Sequence, residues 1–262
     1  MSQRGVFFSR KWVKFILPID FFLGLMANFP AKVVWDYAET SLKLPRELSL
    51  VSIGGTVWNG QSVLSVSSKD QLLQLKVHWQ LGFPALLRHG HFFSLVLSHP
   101  GTKLQLTATP TWNLTRLKGQ ASGHIHPLLL NPFLKQNKAW ISGTASVNRF
   151  RFSFADGKPE ALSGTLVWQG GDTYFLPPGG RSPQLIRYPQ LAIRVSTQSQ
   201  TGDIHAAVTR LGDSGVLVAG TLKPDGWLAV RVNGRLKEAV PDLPVPRKAA
   251  DQALVKYKEK VF

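Results

Sequence analysis

This sequence predicts an all-β protein: antiparallel sheet, curved or folded over, built from two related halves and preceded by an N-terminal transmembrane helix. Three observations carry that expectation. Apolar and polar residues alternate with a period of two over most of the chain, turn-forming dipeptides separate the alternating runs, and a basic N-terminus leads into an apolar stretch. The 262 residues are 44% hydrophobic, enough for a sizeable core, so a wholly disordered chain is excluded.

The N-terminus comes first. Arg4, Arg10, Lys11 and Lys14 lie in a basic segment, residues 1–14, ahead of Phe15 to Phe29, which only Asp20 and Asn28 interrupt with polar side chains. Fifteen helical residues reach only about 22 Å, short of a hydrocarbon core of about 30 Å. Extending the helix from Trp12 to Val34 or Trp35 closes the gap and places Trp at both ends, where aromatic side chains favour the head-group region. Residues 15–35 are therefore read as a single-pass inner-membrane anchor, with a cytoplasmic N-terminus and the bulk of the chain in the periplasm. The rivals are a cleaved signal peptide, for which Phe29-Pro30-Ala31 is a poor cleavage site, and the core helix of a soluble protein. Asp20 is costly at that depth unless it is protonated, snorkels or finds a partner, so it is a candidate contact with another membrane helix.

The β domain is expected over residues 36–240, with halves of about 48–125 and 139–236. Leu73, Leu75, Val77, Trp79 and Leu81 alternate with Gln74, Lys76, His78 and Gln80; Leu104, Leu106 and Ala108 repeat the pattern. Phe150, Phe152 and Phe154 do so again, followed by Leu191, Ile193 and Val195, then Leu228, Val230 and Val232. Such strands belong to sheets that are wet on one face and packed on the other. Asn59-Gly60, Pro100-Gly101, Asp156-Gly157, Gly212-Asp213 and Asp225-Gly226 supply hairpin turns. Short helices are expected at Pro84 to His89 and Pro127 to Gln136, and a loop around Pro177-Pro178-Gly179-Gly180. Pro241, Pro244 and Pro246 close the β region, leaving residues 241–262 as a charged, helix-prone or frayed tail.

Two runs stand apart as a pair: Gly55-Thr56-Val57-Trp58-Asn59-Gly60 and Gly164-Thr165-Leu166-Val167-Trp168-Gln169-Gly170. Each reads as a strand that ends in Trp and closes on Gly, so Trp58 and Trp168 are expected at equivalent places in the two halves, over the apolar face near a turn. Trp58, Gly60, Trp79, Trp168, Gly170 and Asp20 are the structural and interaction candidates.

Catalytic chemistry has little to stand on. Acidic residues are sparse, 15 against 31 Lys and Arg, and Asp156, Asp172, Asp203, Asp213 and Asp225 lie in turn-like surroundings. No nucleophile elbow, zinc-protease helix, P-loop or dinucleotide fingerprint occurs. Cysteine is absent, which removes disulfide and thiolate chemistry. His89-Gly90-His91 and His124-Ile125-His126 could converge on a metal, but neither pair is securely within a strand, and they are read as surface histidines. The chain is accordingly expected to be no enzyme and to hold no catalytic, cofactor-binding or metal residues. The net charge of +16, with Lys76, Arg149, Arg151, Arg194 and Arg231 on polar strand faces, suits a solvated face, anionic lipid heads or an acidic protein. Nucleic acid ranks last, because the anchor would put the domain on the wrong side of the membrane.

The anchor, Phe29-Pro30-Ala31, the first Trp-Gly run, His78-Trp79-Gln80-Leu81 with Leu86, Leu87 and Gly90, and Asp156 to Trp168 together resemble the type II secretion system protein N family, over roughly residues 15 to 236. The resemblance implies an inner-membrane component of the machine that exports folded proteins across the Gram-negative outer membrane, working by contacts with other secretion subunits and with inner-membrane lipids. It brings no catalytic or cofactor residues. That family is also similar in architecture to AsmA-like envelope proteins, whose curved sheets present an apolar groove to lipids. This supplies a runner-up: a periplasmic lipid-handling or envelope-maintenance module.

Overall fold

A computed structural model of the protein describes residues 21–22, 24–41, 48–68, 71–82, 91–111, 115–136, 138–176 and 182–261. Most of it is antiparallel β structure in two open sheets. The larger has 13 strands and the smaller three.

The large sheet is nearly a simple meander. It begins with β1 (Leu48–Gly55), β2 (Asn59–Ser68), β3 (Gln71–Leu81), β4 (Phe93–His99), β5 (Thr102–Pro110) and β6 (Arg116–Ile125). It continues through β8 (Ala145–Ala155), β9 (Lys158–Trp168), β12 (Leu191–Thr197), β13 (Ile204–Arg210), β14 (Val216–Leu222), β15 (Trp227–Asn233) and β16 (Ala253–Lys260). Each strand pairs with the next in that order. The chain leaves the sheet twice. Between β6 and β8 it forms the helix Pro127–Gln136 and β7 (Ala139–Ile141), and between β9 and β12 it forms β10 (Gly171–Phe175) and β11 (Gln184–Tyr188). These excursions meet in the three-stranded sheet, ordered β11-β10-β7.

Register shows that the period-two pattern is shared across the strands. Val77 faces Leu97, which faces Leu104; Leu106 faces Ala121, which faces Phe150. Further on, Leu166 faces Ile193, Ile193 faces Val208 and Val208 faces Val218. One face is therefore apolar from β2 to β15, and the other carries Lys76, Lys103, Lys118, Arg151, Arg194 and Arg231. Bulges interrupt β1–β2, β6–β8, β8–β9, β13–β14 and β15–β16, where an extra residue bends a strand and raises its twist.

The apolar face is partly roofed over its first strands, towards opposite ends of β2 and β3. At one end the helix Pro127–Gln136 sets Leu129 against the cluster of Val66, Leu73 and Leu75. The small sheet is fixed beside this helix, because the Asn131 side chain both donates to the Ile141 carbonyl and accepts from the Ile141 amide, each at 2.9 Å. At the other end the helix Ala31–Ser41 lies over the first strands. Beyond these first strands, Leu106, Phe150 and Phe152 are only half-buried.

Three expectations change. The first is one continuous helix through residues 15–35: its start, Asp20 included, lies outside the described residues, and its end is broken. Residues 24–27 are helical, Asn28 turns back with its amide nitrogens on the Gly24 carbonyl, and Pro30 bridges to Thr56 before the next helix starts at Ala31. Proline lacks the N–H needed to continue a helix and disfavours helical geometry in Phe29 before it, so the break falls there. Among the described residues, no helix is long and apolar enough to cross a membrane.

The second is the C-terminal tail. Residues 253–260 form neither a helix nor a frayed end but β16, which pairs with β15 at the margin of the large sheet. Val255 and Tyr257 continue the apolar face opposite Val232 and Val230, while Lys256 and Lys258 take the polar one. Lysines on an edge strand discourage further pairing.

The third is the likeness of the two Trp-Gly runs. In the first copy Thr56, Val57 and Trp58 are the turn between β1 and β2, held by Thr56 and Asn59, whereas in the second copy the whole run from Gly164 to Trp168 is strand. The expected helix Pro84 to His89 and the Pro177–Gly180 loop lie outside the described residues; the expected helix Pro127–Gln136 forms with those bounds.

Candidate functional site

The apolar face is the first candidate, and its best-formed part is a pocket of about 320 Å³ between the helix Ala31–Ser41 and strands β1 to β4. Val34 and Trp35 form its roof; Leu64, Val77, Trp79 and Leu95 form its floor. These floor residues share one face because Leu64 pairs with Leu75, and Trp79 pairs with both Gly60 and Leu95. The Trp35 indole N–H is buried with no hydrogen-bond partner among the described residues.

Trp79 and Gly60 form a unit. A Cβ on Gly60 would lie 2.3 Å from the Trp79 ring, so glycine is what lets the indole lie across β2. The Trp79 Nε1 then donates to the Val57 carbonyl at 3.1 Å and fixes the β1–β2 turn. Trp58, in that turn and half-buried, points its Nε1 the other way, to the Met26 carbonyl at 2.7 Å. With the Val57 amide donating to the Phe29 carbonyl at 3.0 Å, two bonds tie the N-terminal segment to the sheet.

Trp168 does elsewhere what Trp79 does here. Its Nε1 donates to the carbonyls of Ser142 and Gly143 at 3.0 and 3.3 Å, and its ring meets Tyr188 at 5.6 Å between centroids. Gly170 turns with φ of 75°, and a Cβ there would sit 2.6 Å from the Tyr188 carbonyl oxygen. Burial raises the Tyr188 pKa above its ordinary value, which keeps the phenol neutral. The site candidates thus separate. Trp58, Gly60 and Trp79 meet at the pocket end of the sheet, whereas Trp168 and Gly170 brace the junction with the small sheet.

The histidines do not assemble as pairs. His124 is exposed on the polar face opposite Lys103, and His126 receives the Leu128 amide on Nδ1. His99 lies near His126 with both ring nitrogens buried and, among the described residues, unpartnered; burial, and secondarily the charge of His126, lowers its pKa. No group of three or more His, Cys, Asp or Glu residues converges among the described residues. His89 lies outside them.

On the polar face, β5, β6, β8 and β9 enclose a recess of about 500 Å³ lined by His91, Thr107, Lys118, Gln120, Arg151 and Ser163 among others. Sequence reading missed it because β6 was not recognised as a strand. Gly119 and Gly123 stand at its apolar-face positions and weaken the alternation, although Lys118, Gln120, Ser122 and His124 mark its polar side. Gly119 is required there: a Cβ would lie 2.4 Å from both the Phe152 ring and the Thr107 carbonyl oxygen.

With this geometry in view, comparison with known families is decisive for kinship. The sequence model of the family described as type II secretion system (T2SS), protein N, matches residues 46–249. The chain belongs to that family. The match runs from just before β1 to just before β16, so it takes in the pocket floor, the basic recess and the small sheet. No curated protein and no solved structure matches the chain. Family membership makes this a type II secretion component.

Proposed function

We propose that the protein is a non-catalytic part of the type II secretion machinery, held at the inner membrane by its N-terminal segment, with its sheet in the periplasm acting through protein–protein contacts. The observation that carries this reading is the family match from β1 through β15, every strand of the large sheet but β16. The carboxylates support a structural role: Glu160, Asp172 and Asp251 each pair with an arginine, at 3.1 to 3.2 Å. The N-terminal segment supports membrane association, since Phe21, Phe22, Leu25 and Met26 are 46–71% exposed and follow the basic flank. On this reading the membrane helix ends by Ala27, and Asp20 meets a donor on a partner helix.

The test is complementation. A strain lacking the gene should recover export of folded proteins with the full chain and not with a chain lacking residues 1–29. Asp20→Leu should insert normally yet recover less of the partner complex. Full export by the truncated chain would refute the anchored reading.

A second reading, lipid handling along the apolar face, is favoured by one observation. The pocket under Val34 and Trp35 is almost wholly apolar and opens beside the N-terminal segment that Trp58 holds to the sheet. Mass spectrometry of the purified chain tests it. Co-purifying phospholipid that is lost in Val77→Glu would favour this reading, and a lipid-free wild-type chain would dismiss it.

A further inference from the structure

We propose that the recess on the polar face of β5, β6, β8 and β9 docks an acidic, extended segment of a partner protein. The proposal rests on the protein-contact reading above and names the chemistry of the partner.

The register builds the site. Thr107, Gln120, Arg151 and Ser163 form one row across four strands, and Thr109, Lys118, Ser153 and Ala161 form the next. Lys118 and Arg151 are therefore diagonal neighbours on adjacent strands, about 7–8 Å apart at their stems. Side chains on one side of an extended chain recur every two residues, about 6.8 Å, so alternate carboxylates of an acidic strand match this spacing. Gln120, Thr107 and Ser163 add polar groups in the same recess.

The recess keeps a net positive charge. Glu160 is the acidic residue nearest this site in the register, and it is already engaged by Arg116 at 3.1 Å and by the Ser153 hydroxyl at 2.9 Å. Lys118 and Arg151 are exposed and, among the described residues, make no ion pair. Opposite charges brought to such a patch speed encounter and fix register. A bilayer surface would need diffuse charge on a flat face, whereas these cations line a recess in the middle of the sheet, strands away from the N-terminal segment.

The experiment uses the purified full chain, a labelled polyglutamate peptide, vesicles with and without phosphatidylglycerol, and capture of secretion subunits from native membranes. The double reversal Lys118→Glu with Arg151→Glu is compared with Arg194→Glu with Lys256→Glu, which makes the same charge change elsewhere on the same face. The recess variant should weaken polyglutamate binding by about tenfold or more, lose captured subunits and keep its circular dichroism, while the control variant stays within about twofold of wild type. Equal losses in both variants would overturn the site in favour of diffuse charge. Loss of phosphatidylglycerol preference with unchanged peptide binding would make the occupant a lipid surface and overturn it too. If both variants capture subunits as wild type does, the recess fails alone; if wild type captures none, the protein-contact reading falls with it.

Discussion

The indole of Trp58 donates a 2.7 Å hydrogen bond to the Met26 carbonyl, and so joins the first turn of the large sheet to the last turn of the N-terminal helix. At the helix end the Phe29 amide gives the Met26 carbonyl one long bond of 3.3 Å before Pro30 leaves the helical path, and Trp58 adds a second, shorter one from the sheet. Trp58→Phe keeps an aromatic ring and removes the donor, so it should cost about 1 kcal/mol. Hydrogen exchange should accelerate at residues 24–31 and remain unchanged in β12 to β15; unchanged protection at residues 24–31 in the variant would show that the bond does not hold the junction.

Gly60 and Trp79 should behave as a coupled pair. Gly60→Ala forces the Trp79 ring off β2 and should destabilise by about 1–3 kcal/mol, the usual range for overpacking. In a Trp79→Ala background the same change should cost clearly less, with only the approach to the Gly54 carbonyl oxygen at 2.8 Å left to strain it. A double-mutant cycle by urea unfolding checks this, and additive effects would contradict the packing described.

His99 gives the fold an acid limit. Burial, then His126, holds its pKa below the usual histidine value near 6.5, so the folded state resists protonating the ring. As pH falls below about 6.5, the unfolded chain takes up a proton that the folded chain resists, and stability declines until the folded pKa is passed. His99→Leu should flatten this part of the stability–pH curve. Unfolding midpoints measured between pH 7.5 and 5 decide it.

Removal of residues 247–262 should expose the β15 edge that β16 covers, along with Val230 and Val232. Loss of the lysine-bearing edge strand should promote self-association as well as lower the melting temperature. Sedimentation velocity on the truncated and full chains reads this directly.

The sheet was legible where large side chains alternate. Leu73 to Leu81 and Phe150 to Phe154 declare a period of two, and both are strands of the large sheet. The signal fades where the apolar face uses glycine and alanine, as at Gly119, Ala121 and Gly123 of β6, because small residues pack under neighbouring rings without raising local hydrophobicity. It misleads in β16, where Lys256, Lys258 and Lys260 read as a charged tail, although the same lysines suit an exposed edge. The small sheet could not be read locally, since Ala139–Ile141 is short and its partner β10 lies some thirty residues on. Of the site, Trp58, Gly60 and Trp79 were visible as residues. Their meeting depends on the β2–β3 register, which sets Trp79 opposite Gly60 and carries its indole to the Val57 carbonyl, a contact that neither run declares by itself.

The central claim is that this protein serves secretion through contacts with other proteins. The most direct measurement is the recovery of type II secretion subunits with the full-length chain from native inner membranes, quantified by mass spectrometry against a control membrane protein. The account predicts that those subunits are enriched and that export falls when the chain is deleted. Recovery of phospholipid alone, with no secretion subunit enriched, would contradict it.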